Sequence, residues 1–326
     1  MNDGIKREFV GKRCLITGGT GLLGRSVAKQ LLALGCQVTT VSLDKLSIHP
    51  EIEQIYGDLT DLRFCLEVTK DIDYVFHIAG IKGSIEVTKS KPASFLVPLL
   101  MFNTNVLEAS RVNGVEKLVY TSSIGAYPSG EIFIEKDGFE GEPMDMFPGW
   151  AKRMAELQIA AYRQQYGLDW AIVRPCNVYG PGDNFDPENA MVIPSLMMRI
   201  VNGENPLVVW GDGSAVRDFA YSEDIAEGII RALHFGTRGS FVNLGSGEGV
   251  SIKQLVEHLS SFIEFTYEFD ASKSSGFPRR VMDIQRARDW IGYDPRTTLN
   301  SGLEQTWQWF LRNKREFLAK KNYFKK

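Results

Sequence analysis

The chain has 326 residues, enough for one large domain or two intimate ones around a sizeable core. Its 44% hydrophobic and 24% charged content excludes a disordered or fibrous chain. A formal charge of -3 leaves no sequence-wide attraction for nucleic acid or an anionic membrane, so an anionic ligand needs a local basic site. The cysteines (Cys14, Cys36, Cys65, Cys176) form no C-x-x-C pair and no dense framework, which predicts buried free thiols in a reducing compartment and no metal centre. The polar opening, Met1–Lys12, predicts no leader, and the longest apolar run, Phe95–Phe102, is too short to span a bilayer. A soluble cytoplasmic protein without nucleic-acid or membrane partners is the expectation.

In chain order, short β-branched runs alternate with helical patterns, which predicts βαβ units and a Rossmann-type, doubly wound parallel sheet. The predicted strands are Arg13–Thr17, Gln37–Val41, Glu53–Tyr56, Tyr74–His77, Lys117–Thr121 and Trp170–Arg174. Helix Leu22–Leu34 carries Leu23, Val27, Leu31 and Leu34 on one stripe, and Trp150–Tyr166 repeats the rule with Trp150, Met154, Leu157 and Ala161. Segment Ala93–Val112 is apolar nearly all round in its first half, as expected of a core or interface helix. After Pro175 glycine and proline punctuate more densely. Residues 1–175 are therefore read as the dinucleotide-binding domain, with 215–245 returning to it through Phe241–Leu244. Residues 176–326 are mainly a smaller substrate-binding lobe.

The first strand runs into Gly18-Gly19-Thr20-Gly21-Leu22-Leu23-Gly24, and a helix opens at its end. Gly18 permits the tight turn, Gly21 lets the backbone approach a pyrophosphate, and Gly24 lets the helix pack on the strand. The amides at Leu22 and Leu23 begin the helix and face its positive dipole end toward phosphate. An acid about 20 residues on holds the ribose in such folds; here the second strand ends at Ser42, with Asp44 two residues later. Asp44 favours NAD, while Ser42 in that position leaves room for the extra phosphate of NADP, so both cofactors stay open. After the third strand, Asp58 can accept from an adenine amino group beside Leu59, or cap a helix over Thr60–Leu66. After the fourth, Ala79 and Gly80 allow close approach to the pyrophosphate, while His77 reads as a satisfied core histidine.

These pieces in this order resemble the extended short-chain dehydrogenase/reductase family, the NAD-dependent epimerases and dehydratases of nucleotide sugars. The resemblance rests on Thr17–Gly24, Gly57–Leu59, His77–Gly80, Tyr120–Ser123, Arg174–Pro181 and Arg217–Phe219. The second half is similar to the GDP-L-fucose synthase branch through Asp183–Asn189, Val192–Leu196, Val208–Gly213, Phe269–Lys273 and Phe277–Arg280. The resemblance implies a nucleotide sugar, GDP-linked, as substrate and a homodimer formed by helices 93–112 and 150–166. It implies a sugar or diphosphate contact from Asn177, diphosphate neutralisation by Arg217 and Arg279, a place near the nucleotide for Trp210, and substrate binding by Val192 and Lys273. An arginine fork suits bidentate phosphate recognition.

The family also implies a Ser/Thr and a tyrosine on the reacting oxygen, with a lysine four residues after the tyrosine gripping the nicotinamide ribose. Ser123 matches the serine and Lys152 the lysine, but the tyrosine position is Pro148, which carries no proton to exchange. The acid/base cysteine and histidine of the double epimerases are replaced by the Ile124-Gly125 region and Met191, and the Thr-Asp-Glu of the 4,6-dehydratases is absent from Thr121-Ser122-Ser123. Three readings follow: hydride transfer at sugar C4 with the proton moved by Ser123 and Lys152, a water or a tyrosine such as Tyr127; a binding protein without turnover; or a fucose-synthase-type epimerase-reductase with relocated acid and base groups. A reductase for non-nucleotide substrates fits the arginines poorly.

Overall fold

The computed structural model describes residues 3–81, 83, 85–186 and 189–318. Seven parallel strands form the central sheet, in the spatial order Val242–Leu244, Ala171–Pro175, Lys117–Thr121, Tyr74–His77, Arg13–Thr17, Gln37–Ser42, Glu53–Tyr56. The chain winds outward from Arg13–Thr17 to one edge, then crosses to build the other half beginning beside the same strand at Tyr74–His77. Winding reverses there, so the carboxyl ends of these two strands open a crevice in which such folds bind ligands. The sheet is a Rossmann-type doubly wound one, as the strand–helix alternation predicts.

The strand Ala171–Pro175 is shifted by one residue from Trp170–Arg174, because Trp170 is buried with its ring edge-on to Tyr162. Val242–Leu244 closes the sheet against that strand, and helix Ser222–Phe235 packs Ile225, Ile229 and Leu233 into the same core. Helix Leu22–Ala33 does so through Val27 and Leu31. The helix expected from Trp150 begins at Met146. Pro148 fits its first turn because no backbone donor is required there, and Gly149 N already donates to Asp145 O at 2.6 Å. Asp58 caps no helix: it bends its own turn by accepting from Thr60 N, while Asp61 accepts from Arg63 N and caps Leu62–Val68.

The smaller lobe has its own apolar cluster, in which Phe185 stacks on Phe310 at 4.1 Å among Ile193, Met197, Leu207, Leu255 and Leu303. A second, four-stranded sheet joins the two parts: Val250–Ser251, Val216–Arg217, Arg279–Met282 and, from the first half of the chain, Ile132–Phe133. No helix among the described residues is long and apolar enough to cross a membrane.

Candidate functional site

The phosphate loop lies in the crevice, and its glycines are enforced by contact. A Cβ on Gly24 would lie 2.2 Å from Gly18 O and 2.7 Å from Gly19 Cα, so helix and loop touch backbone to backbone. Gly18 has φ 74° and its Cβ would meet Ala79 Cα at 2.9 Å, which seats the loop against the turn after the fourth strand. No side chain caps the helix at Gly21, so its first amides, at Leu22 and Leu23, face the crevice end uncapped. Such a cradle of glycines and helix amides fits the pyrophosphate of a dinucleotide. Gly24→Ala is expected to cost roughly 1–3 kcal/mol in a thermal melt, as overpacked sites do, and to weaken dinucleotide binding at least about tenfold.

The ribose end is less direct. Ser42 Oγ accepts from Thr20 N at 3.1 Å and is buried, so it fastens the loop. Asp44 lies half-buried in the following loop, and Asp58 is exposed beside the buried Leu59.

Beneath the crevice a hydrogen-bond chain sets the protonation of His77. Thr17 Oγ1 accepts from the amides of Ile78 and Ala79, both at 3.1 Å, so its own proton goes to His77 Nδ1 at 2.8 Å. Nε2 therefore carries the ring proton and donates to Asn103 Oδ1 at 2.9 Å, and Asn103 Nδ2 donates to Tyr120 OH at 3.1 Å. Burial, then the charge of Lys152, pushes His77 down to about 3. It is a satisfied core histidine that ties three strands to helix Pro92–Val112.

Lys152 stands on the crevice side of this chain. Its Nζ donates to Thr121 O at 2.7 Å, lies 5.0 Å from the centre of the Tyr120 ring, and is 3.8 Å from where a Gly80 Cβ would be. Burial pushes the ammonium down to about 8. Ser123 is half-buried, and its Oγ accepts from Gly125 N at 3.1 Å, leaving the hydroxyl proton to donate elsewhere. Tyr127 is not available as a proton shuttle: it is buried, its hydroxyl donates to Asn243 Oδ1 at 2.8 Å, and burial raises its pKa.

Strand register pairs Arg217 with Arg280 rather than with Arg279. Val216 is in register with Arg279 and Arg217 with Arg280, so Arg217 and Arg280 share a sheet face. Arg279 lies on the other face, near Gly249. Burial and then the charge of Arg280 push Arg217 down to about 10. Arg280 stacks 4.0 Å over Phe277, and its Nε is buried without a hydrogen-bond partner. Two partly buried like charges, one with an orphaned donor, have the chemistry to hold an anion. The sequence does not single out Arg280, because only the strand register decides which of two adjacent arginines shares a face with Arg217.

A line of contacts joins Arg280 to the Ser123 turn, two residues after the carbonyl that holds Lys152. Arg280 Nη2 is 3.7 Å from Asp145 Oδ1, and a Cβ on Gly125 would be 2.2 Å from Asp145 Oδ2. Gly125 is the residue whose amide binds Ser123. In the other direction Arg217 Nη2 donates to Ser275 O at 3.1 Å, and Ser275 packs where a Gly211 Cβ would be, next to Trp210. Trp210 is 62% exposed. Asn177 donates to Asp218 O beside this line, Val192 begins a helix at the lobe's core, and Lys273 is exposed on a turn outside the arginine pair. A second glycine-rich stretch, Gly245–Gly249, is not an anion cradle, because the buried Asp218 carboxylate already accepts from Ser246 N and Gly247 N.

Residues 14–245 match the NAD dependent epimerase/dehydratase family. The chain is 32% identical over 317 residues to GDP-L-fucose synthase 1 of Arabidopsis thaliana, covering 92% of this chain and 94% of that one. Among solved structures, an epimerase of Methanothermobacter thermautotrophicus is 27% identical with a TM-score of 0.87, covering 97% of this chain and 96% of that one. The UDP-glucose 4-epimerase of Thermotoga maritima, solved with UDP-glucose, is 25% identical with a TM-score of 0.81, covering 92% and 99%. The glycine cradle and the residues around it fit NAD or NADP. With the phosphate loop at the switch point and the match over most of its length, this chain belongs to the NAD-dependent epimerase/dehydratase family.

Proposed function

We propose that the protein is a nucleotide-sugar oxidoreductase or epimerase that exchanges hydride at sugar C4 of a GDP-linked substrate. The supporting observation is the succession of the Gly18–Ala79 contact, Lys152 on Thr121 O, the Ser123 turn two residues later, Asp145 against that turn, and Arg280 in register with Arg217 toward the exposed Trp210. One end fits a dinucleotide pyrophosphate, the other a nucleoside diphosphate, and a sugar spans the middle. Gly18, Gly21, Leu22, Leu23 and Gly24 would hold the pyrophosphate, Asp44 and Asp58 the adenosine side, and Lys152 the nicotinamide ribose. When bound, the cofactor supplies the hydride chemistry. Ser123 then donates to the reacting oxygen, and Lys152 holds the proton that oxygen gains or loses. The GDP assignment is supported by the fucose-synthase relative.

In this reading Arg280 and Arg217 clamp the diphosphate. Arg280→Ala is expected to weaken nucleoside diphosphate binding about tenfold to a hundredfold, and Arg279→Ala by less than about threefold, in calorimetric titrations. Equal losses would contradict the assignment by register. A homodimer through the outer faces of helices Pro92–Val112 and Met146–Tyr166 is supported by the exposed Val97, Met101, Met154 and Leu157.

Pro148 favours a second reading, a binding protein without turnover. Incubation with GDP- and UDP-sugars and both oxidised and reduced cofactors, followed by nicotinamide absorbance and product NMR, separates the two. Product formation supports the enzyme, tight binding of sugar nucleotide with no redox change supports the second reading, and absence of binding contradicts both.

A further inference from the structure

Asp145 lies between the serine turn and the arginine pair, and nothing described so far uses its carboxylate for a ligand. It precedes helix Met146–Tyr166, and its backbone amide donates to Gly125 O at 3.2 Å, which locks it to the turn that Ser123 caps. The fit is close: the carboxylate occupies the space where any side chain on Gly125 would stand. On its other side Oδ1 is 3.7 Å from Arg280 Nη2, too long for a good hydrogen bond. The side chain is 42% exposed, whereas that of Arg280 is 13% exposed. The arrangement is therefore a fixed, solvent-facing carboxylate with acceptor capacity to spare, placed between a hydroxyl donor and a cationic pair.

We infer that Asp145 is a sugar-specificity residue, accepting hydrogen bonds from ring hydroxyls of the substrate's sugar. The inference rests on the proposed nucleotide-sugar reading. A ligand whose diphosphate meets Arg217 and Arg280 and whose reacting carbon meets Ser123 carries its sugar across Asp145. An ionised carboxylate is acceptor-only, so it matches hydroxyl groups, which must donate to it, and it rejects deoxygenated positions, which leave it desolvated and unpaired. The residue fits neither the diphosphate, which it repels, nor the base, which lies beyond Arg217.

Titrations with two ligand pairs, GDP against GDP-mannose and UDP against UDP-glucose, on the full-length protein test this. In Asp145→Asn the sugar nucleotide is expected to lose at least about tenfold in affinity relative to its own nucleoside diphosphate, the size of a lost hydrogen bond to a charged acceptor. Retained nucleoside diphosphate binding shows that the variant is folded, and Asp145→Glu, which keeps the charge, is expected to recover part of the difference. If both members of a pair change by the same factor, Asp145 acts only through Arg280 and the inference is overturned. If the unmodified protein binds neither pair, the nucleotide-sugar reading itself falls. Discrimination by the unmodified protein that Asp145→Asn leaves intact overturns the inference alone.

Discussion

In the proposed hydride-transfer reading, Lys152→Met is expected to lower turnover by about a hundredfold to ten-thousandfold, because it removes the ammonium held on Thr121 O, two residues from Ser123. The pH dependence gives the mechanism its sign. Burial sets Lys152 at about 8. Reduction of a ketone needs the ammonium, so that rate is full below about 8 and lost as pH rises through it. Oxidation of the alcohol needs the neutral amine, so that rate rises through the same range. No neighbour confuses the assignment: His77 sits at about 3, and burial raises Tyr120 and Tyr127 above their ordinary range. Lys152→Arg keeps charge but holds its proton, so it is expected to retain binding and lose the break near 8. A Met variant that keeps both turnover and the break would remove Lys152 from the chemistry.

Glu156→Ala is expected to be the most destabilising single change, by about 3–5 kcal/mol in urea melts. Arg174 and Glu156 are essentially without solvent exposure, and both carboxylate oxygens accept from the guanidinium, at 2.9 and 2.6 Å. The remaining donor Nη1 goes to Gly138 O at 3.0 Å, and the ring faces of Phe241 and Tyr127 lie 3.9 and 4.6 Å away. Cutting the carboxylate leaves a buried cation facing aromatic walls. Replacing both partners together, Arg174→Met with Glu156→Leu, is expected to be much closer to neutral, since burying two charges is itself costly. The pair fastens strand Ala171–Pro175 to helix Met146–Tyr166, and that helix carries Lys152. Loss of the pair should therefore reduce activity at temperatures where the variant remains folded.

The phosphate loop was legible because its requirements are local. A strand, three glycines and a helix start lie in one short stretch, and each glycine answers to a neighbour close in the chain or to Ala79 at the next parallel strand. Ser123, two residues past the end of a predicted strand, and Lys152, on a predicted helix, could be proposed from the sequence for the same reason. Which arginine shares a face with Arg217 was not legible, because a strand of four residues preceded by glycine and proline gives no usable alternation. The choice between Arg279 and Arg280 depends on pairing with Val216–Arg217, more than sixty residues earlier. Tyr127 drew attention as a nearby phenol, yet its hydroxyl belongs to Asn243, a partner supplied by the edge strand.

By itself the sequence determined the doubly wound sheet, the dinucleotide cradle and the absence of a tyrosine at Pro148, since periodicity, glycine spacing and residue type are written in contiguous segments. Only the tertiary structure decided the protonation of His77, the depressed charge of Lys152, the pairing of Arg217 with Arg280 and the place of Asp145. Each of those depends on burial and on groups brought together from distant strands, and burial and register exist only once the chain has folded.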